Sequence, residues 1–264
     1  MSPRRQPEGG QAPPVQRLRL RYAKRGPLRF TSHRDFARAF ERALLRANVP
    51  IAYSQGFTPH PKISYASAAP TGVASEAEYV EIALREPVDP GDLRAALDAA
   101  LSPGLDVLEV VETPLHGGGG LADRIDTSRW RIELPGVPVG VLADAVDAFL
   151  RESEVYVERL TKQGRRTFDV RAAVVELRVV STDQGAPSEI AAAPCAILDL
   201  VVRQVTPTVR PDDVLSGLRV VAALEPSVPP RATRLAQGLL SAQGEIVDPL
   251  SADPDEAVTG ASLR

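Results

Sequence analysis

Residues 17–50 read RLRLRYAKRGPLRFTSHRDFARAFERALLRANVP. Residues 17–22 alternate strictly. Leu18, Leu20 and Tyr22 fall on one face of a strand, and Arg17, Arg19 and Arg21 on the other. Period 2 then gives way to period 3.6. Ser32 is a helix N-cap with Asp35 three residues on, and Phe36, Phe40, Ala43, Leu44 and Ala47 form one apolar side. The helix should end near Asn48, before Pro50.

Downstream, Ile63–Ser67 and Glu78–Leu84 are β-like. Asp89–Ala100 is helical, opened by Asp-Pro, and Leu105–Val111 is a last strand. The order βαββαβ predicts a ferredoxin-like sandwich over 17–113. A Gly-rich joint, 114–126, follows as a linker. The order then restarts over 127–235, with strands Ser128–Leu134, Val155–Thr161, Thr167–Val180 and Ala196–Gln204 and helices Val139–Arg151 and Pro211–Leu218. The fold class expected is α+β, two ferredoxin-like halves, with the closing strand of the second unclear. Residues 1–16 and 236–264 lack apolar faces and are expected to be a disordered basic arm and a mostly disordered acidic tail.

Composition bounds the function. The 264 residues are 44% hydrophobic and 25% charged, ordinary for a globular protein. No apolar run is long enough for a membrane span and the N-terminus lacks a signal-peptide core, so a cytoplasmic location without membrane contact is expected. A single cysteine, Cys195, excludes an internal disulfide and a multi-cysteine zinc or iron–sulfur site, and no cofactor or metal is expected. The net charge of −3 is unevenly spread. Residues 1–65 carry 13 Lys+Arg against 3 Asp+Glu. A segregated basic third is an electrostatic footprint for a polyanion, or else attracts the acidic remainder of the chain.

The densest chemistry lies in FTSHRDFARAFERALLRANVP (30–50), YSQGFTPHPKISYASAAPTG (53–72) and SEAEYVE (75–81). These stretches resemble the radical-SAM-linked protein family, a domain of unknown function found alone or at the C-terminus of B12-binding-type radical SAM proteins. The Gln-Gly-Phe-x-Pro-His-Pro-Lys block is the most specific part, and Arg34 stands where the family is usually apolar. The resemblance implies a radical SAM protein as partner. The chain cannot itself hold the three-cysteine cluster that such chemistry needs.

The residues nominate their own candidates. Arg34, Arg38, Arg42 and Arg46 recur at i+4 along the helix, while Arg17, Arg19 and Arg21 share a strand face that a ferredoxin-like sandwich leaves open, with Tyr79 on the same side. Arginine pairs with phosphates and stacks on bases. Both sets also read as solvated or acid-paired surfaces. Gln55, Gly56, Phe57, His60 and Lys62 form a stiff loop, its prolines fixing φ on either side of His60, suited to holding a small anion. Alternatively Phe57 plugs the core and His60 makes one hydrogen bond.

His33 and His60 are weak catalytic candidates, an acid–base pair for metal-free RNA cleavage. Ser32-His33-x-Asp35 reads as capping rather than a triad. Cys195 reads as a buried small hydrophobe, and Lys162, Arg165 and Arg166 as a hairpin turn. The leading expectation is an accessory or substrate-binding module for a radical SAM enzyme, binding RNA or a nucleotide-like anion. A two-histidine RNA-processing enzyme and a protein–protein adaptor are the alternatives.

Overall fold

A computed structural model describes residues 12–55, 57–115, 119–161, 164–180 and 194–251. The chain is α+β and divides into two units. One comprises the residues up to Arg124 together with those from Asp248 onward, and the other runs from Ile125 to Val247.

The first unit is β1 (Gln16–Lys24), α1 (His33–Arg46), β2 (Ile63–Ala66), β3 (Ala74–Leu84), α2 (Pro90–Ala100) and β4 (Val107–Thr113). Its strands pair antiparallel in the order β4-β1-β3-β2. The alternation in β1 fixes this register. Leu18 pairs with Ile82 and Leu20 with Val80, so all four point to one side, where Phe36, Phe40 and Leu44 of α1 and Leu93 and Leu97 of α2 complete the core. Tyr22 stacks on Phe36 with ring centroids 4.1 Å apart. The predicted caps form: Ser32 Oγ accepts from the Asp35 N–H at 3.2 Å, and Asp89 Oδ1 from Gly91 and Asp92 at 2.8 and 3.0 Å. Helix α1 closes with Asn48 at a φ of 51°, the left-handed region Asn tolerates.

The second unit is β5 (Thr127–Pro135), α3 (Val139–Arg151), β6 (Tyr156–Thr161), β7 (Gly164–Asp169), β8 (Val174–Val180), β9 (Cys195–Arg203), α4 (Pro211–Ala222), β10 (Arg231–Leu240) and β11 (Ile246–Val247). Four strands pair antiparallel in the order β10-β5-β9-β8; β11 adds to β10, and β6 with β7 forms a separate ribbon.

Several boundaries differ from those read in the sequence. Thr167–Val180 is two strands, not one. The Asp169 carboxylate accepts from the Arg171 and Ala172 N–H groups at 2.9 and 3.2 Å, turning the chain through Arg171–Ala173. The closing strand is β10, so strand structure runs past residue 235. Its buried positions include Arg234 and Gln237, bonded to each other at 2.9 Å, which removes the apolar alternation that marks a strand. Within 114–126, Leu121–Arg124 is a helical turn whose Leu121 is buried, rather than free linker. Gln16 belongs to β1 and bonds the Val88 carbonyl at 3.0 Å. The rest of the expected arm up to residue 11, and the tail from 252, lie outside the described residues. Among the described residues no helix is long and apolar enough to cross a membrane.

Candidate nucleic-acid interface

The β1 arginines occupy the sheet face opposite the helices, and the register names their neighbours. Arg19 lies opposite Glu81, Arg21 opposite Tyr79, and Arg17 opposite Ala83. Arg19 Nε donates to Glu81 Oε2 at 2.8 Å, and Arg17 Nη1 lies 3.8 Å from Glu81 Oε1. Arg21 meets Glu109 at 3.2 Å and Asp248 at 3.0 Å. Tyr79 Oη donates to Asp248 Oδ2 at 3.2 Å. Burial, and then the Asp248 carboxylate, push that phenol well above its ordinary pKa.

This face is therefore not open as the sequence reading expects. Arg19 is 2% exposed and donates to the Gly119 carbonyl at 3.1 Å, and Tyr79 is 1% exposed. The segments carrying Gly119 and Asp248 lie over it because three guanidinium groups on one strand demand acceptors. Glu81 could be read from the sequence, being on the polar side of the alternating Val80, Ile82 and Leu84. Asp248 gave no local signal.

Helix α1 is different. Arg34, Arg38 and Arg42 are exposed and meet no acid among the described residues, and Leu45, 71% exposed, shares their side. The amphipathic pattern forces this arrangement. With Phe36, Phe40, Ala43 and Leu44 in the core, the i+4 arginine row must face outward. Arg46, the last of the row, donates to the Ala100 carbonyl instead.

The loop after α1 is pinned at its neck. The Ser54 N–H donates to the His60 carbonyl at 2.8 Å, the His60 N–H donates to Ser54 Oγ at 2.9 Å, and Tyr53 bridges to Pro61. Gln55 and His60 are exposed, and Phe57 stands 77% exposed at the tip, so it does not plug the core. Gly56 lies outside the described residues. Lys62 is exposed, with its backbone tied to β3 and to Ala52: its N–H donates to the Ala52 carbonyl at 2.8 Å and its carbonyl accepts from Ala83 at 3.1 Å.

The His33 ring meets the Tyr65 ring edge-on, centroids 5.1 Å apart, at the start of α1. Ser32 Oγ donates to Asp35 Oδ2 at 2.6 Å, a capping contact within the helix's first turn. Cys195 is half-buried at the start of β9. Arg165, on the β6–β7 ribbon, faces Glu158 at 3.4 Å; Arg166 is exposed, and Lys162 lies outside the described residues. Among the described residues no three His, Cys, Asp or Glu side chains are placed to hold a metal ion.

A family model described as "Uncharacterized protein conserved in bacteria (DUF2344)" matches residues 17–211. A search of the curated proteins found no match. Among solved structures, one described as "Crystal Structure of an Unknown Protein from Galdieria sulphuraria" matches at 15% identity over 83% of this chain and 98% of that chain, with a TM-score of 0.23. A likeness at that score carries no argument.

Proposed function

The chain belongs to a family of uncharacterized proteins conserved in bacteria, and for it we propose the role of an RNA-binding accessory module that presents its ligand to a radical SAM enzyme. One observation carries the RNA reading. The β1 arginines have protein acceptors, whereas Arg34, Arg38 and Arg42 on α1 have none among the described residues. At ~1.5 Å rise per residue, successive arginines of this row stand about 6 Å apart along the axis, a ladder of bidentate phosphate donors. Phe57 and His60 on the pinned loop offer exposed rings for base stacking. The partner enzyme rests on the resemblance of 30–81 to radical-SAM-linked proteins. A cytoplasmic setting belongs to the same proposal.

The strand orders β4-β1-β3-β2 and β10-β5-β9-β8, each with two helices, support reading both units as ferredoxin-like. The second then carries β6–β7 as an insertion after its first helix.

The test is binding of a fluorescent single-stranded RNA across a salt series. Affinity should fall steeply with salt, and Arg38→Ala with Arg42→Ala should flatten the log–log slope by about 1.4, at ~0.7 per lost phosphate contact. Absent or salt-independent binding overturns the reading and favours an adaptor. Cleavage of the RNA without metal, lost in His33→Ala and in His60→Ala, would instead favour the two-histidine enzyme.

A further inference from the structure

Strand β8 runs Val174-Val175-Glu176-Leu177-Arg178-Val179-Val180. Reversed, it is the same string with its two charges exchanged. It is also a sheet edge. In the order β10-β5-β9-β8 it pairs with β9, and among the described residues no strand pairs with its other side. Edge strands are commonly guarded by lysine or proline, because their unpaired N–H and C=O groups are a template for another chain. Strand β8 has neither, and five of its seven residues are Val or Leu.

We propose that β8 is a dimerisation edge, and that its partner is β8 of a second copy of this chain, antiparallel about a two-fold axis at Leu177. Self-complementarity is the first argument. A two-fold interface must match itself. With the axis at Leu177, Glu176 faces Arg178 of the second copy, and Arg178 faces its Glu176. Val175, 43% exposed, faces its Val179. With the axis at Glu176 or at Arg178, like charges would stand directly opposite, which is destabilising. The two charges therefore select one register of a strand whose valines alone would permit several.

The second argument is the pattern of charge across the sheet. The register sets Arg131 of β5 opposite Asp199 of β9, and Asp199 opposite Arg178. The signs run plus, minus, plus, and the row stops at the edge on a cation. Glu176 of the second copy continues the alternation. Within one chain Arg178 Nε already lies 3.0 Å from Glu176 Oε1, with the two side chains 54% and 44% exposed. Two such pairs set antiparallel close a square of alternating charge. The irregular step of β8 against β9 lies between Val174 and Glu176, so the three central pairs of the dimer fall on regular strand.

Seven residues make a small interface, so the dimer should be reversible. Sedimentation of the full chain from about 1 to about 300 µM, a range that brackets micromolar affinity, should show monomer passing to dimer. E176R sets arginine opposite arginine twice per dimer and should weaken association by about tenfold or more. It leaves in place the bonds from Arg129 and Arg178 to Asp199, and its melt should stay cooperative. R178E sets glutamate opposite glutamate and should weaken association equally. An equimolar mixture of E176R and R178E restores opposite charges across the axis and should recover dimers of one chain of each. If R178E does not melt cooperatively, E176R alone decides. The proposal is overturned if the chain stays monomeric throughout, if E176R dimerises like the wild type, or if the mixture of folded variants associates no better than either alone. Arg38→Ala with Arg42→Ala should dimerise like the wild type, so this proposal and the RNA reading stand or fall separately.

Discussion

Asp199, on β9, sits between two guanidinium groups. Arg129 reaches it from β5 at 2.9 and 2.5 Å, and Arg178 from β8 at 2.9 Å. Burial alone would raise its carboxyl pKa, but the hydrogen bonds from Arg129 and Arg178 outweigh it and hold the group below its ordinary value of 3.8. A carboxylate lowered in the fold contributes stability that is complete above the unfolded value and is lost as pH falls through the folded one. Urea denaturation at stepped pH should therefore show wild-type stability declining below pH 3.8. Asp199→Asn should start lower at neutral pH and decline less over that window. A second residue-scale test is Gly238. A Cβ there would stand 1.8 Å from the Val247 carbonyl oxygen, so the end of β11 lies this close to β10 only because that position has no side chain. Gly238→Ala should cost about 1–3 kcal/mol in chemical denaturation, the usual range for overpacking. Single residues were unevenly legible. Glu81 could be placed by counting alternate positions. Asp199 and Asp248 act through partners that only the folded chain brings near.

Among the elements, the β6–β7 ribbon shows how an insertion is held. Arg159 of β6 donates to Asp213 of α4 at 2.7 Å, and its guanidinium lies over the Phe168 ring of β7, 4.8 Å from the centroid. Asp213 is buried and also accepts from the Arg210 N–H at 2.8 Å, capping α4. Arg159→Ala removes the ion pair of that buried carboxylate, leaving it the charge of Arg210, and should cost about 3 kcal/mol, read from the denaturation midpoint at constant slope. Elements with strong periodicity were read from sequence almost to the residue. Helix α3 runs Val139–Arg151 as its apolar spacing predicts, and α1 starts one residue after its Ser32 cap. Two errors have one cause, polar groups doing work that apolar pattern does not report. Asp169 breaks a continuous β-like run by capping its own turn, and Arg234 with Gln237 fills buried strand positions in β10.

At the scale of the whole molecule, the repeated element order predicted two halves, and the chain forms two units. Hydrophobic periodicity reveals what each segment is, not where a late segment returns, so the recruitment of residues from Asp248 into the first unit was not legible. Unit two has its own core, in which Leu142, Phe149, Ile132, Leu134, Leu198 and Leu200 are buried. Residues 125–247 expressed alone should give dispersed amide resonances and a cooperative melt. Residues 1–124 alone lack the carboxylate that Arg21 and Tyr79 share, and should melt at a lower temperature than the same unit within the full chain.

The clasp at Asp248 also has a consequence in time. Its carboxylate is 227 positions from the guanidinium of Arg21. A ribosome emits Arg21 well before Asp248, and at ~5–20 residues per second tens of seconds separate the two. Once Glu109 has emerged, the nascent first unit has that carboxylate for Arg21 but nothing from the Asp248 segment over Tyr79. The second unit can be built and folded before the first is finished. The newborn chain thus passes through a stage in which that part of the basic sheet face is bare, and the emergence of Asp248 is what lets it close.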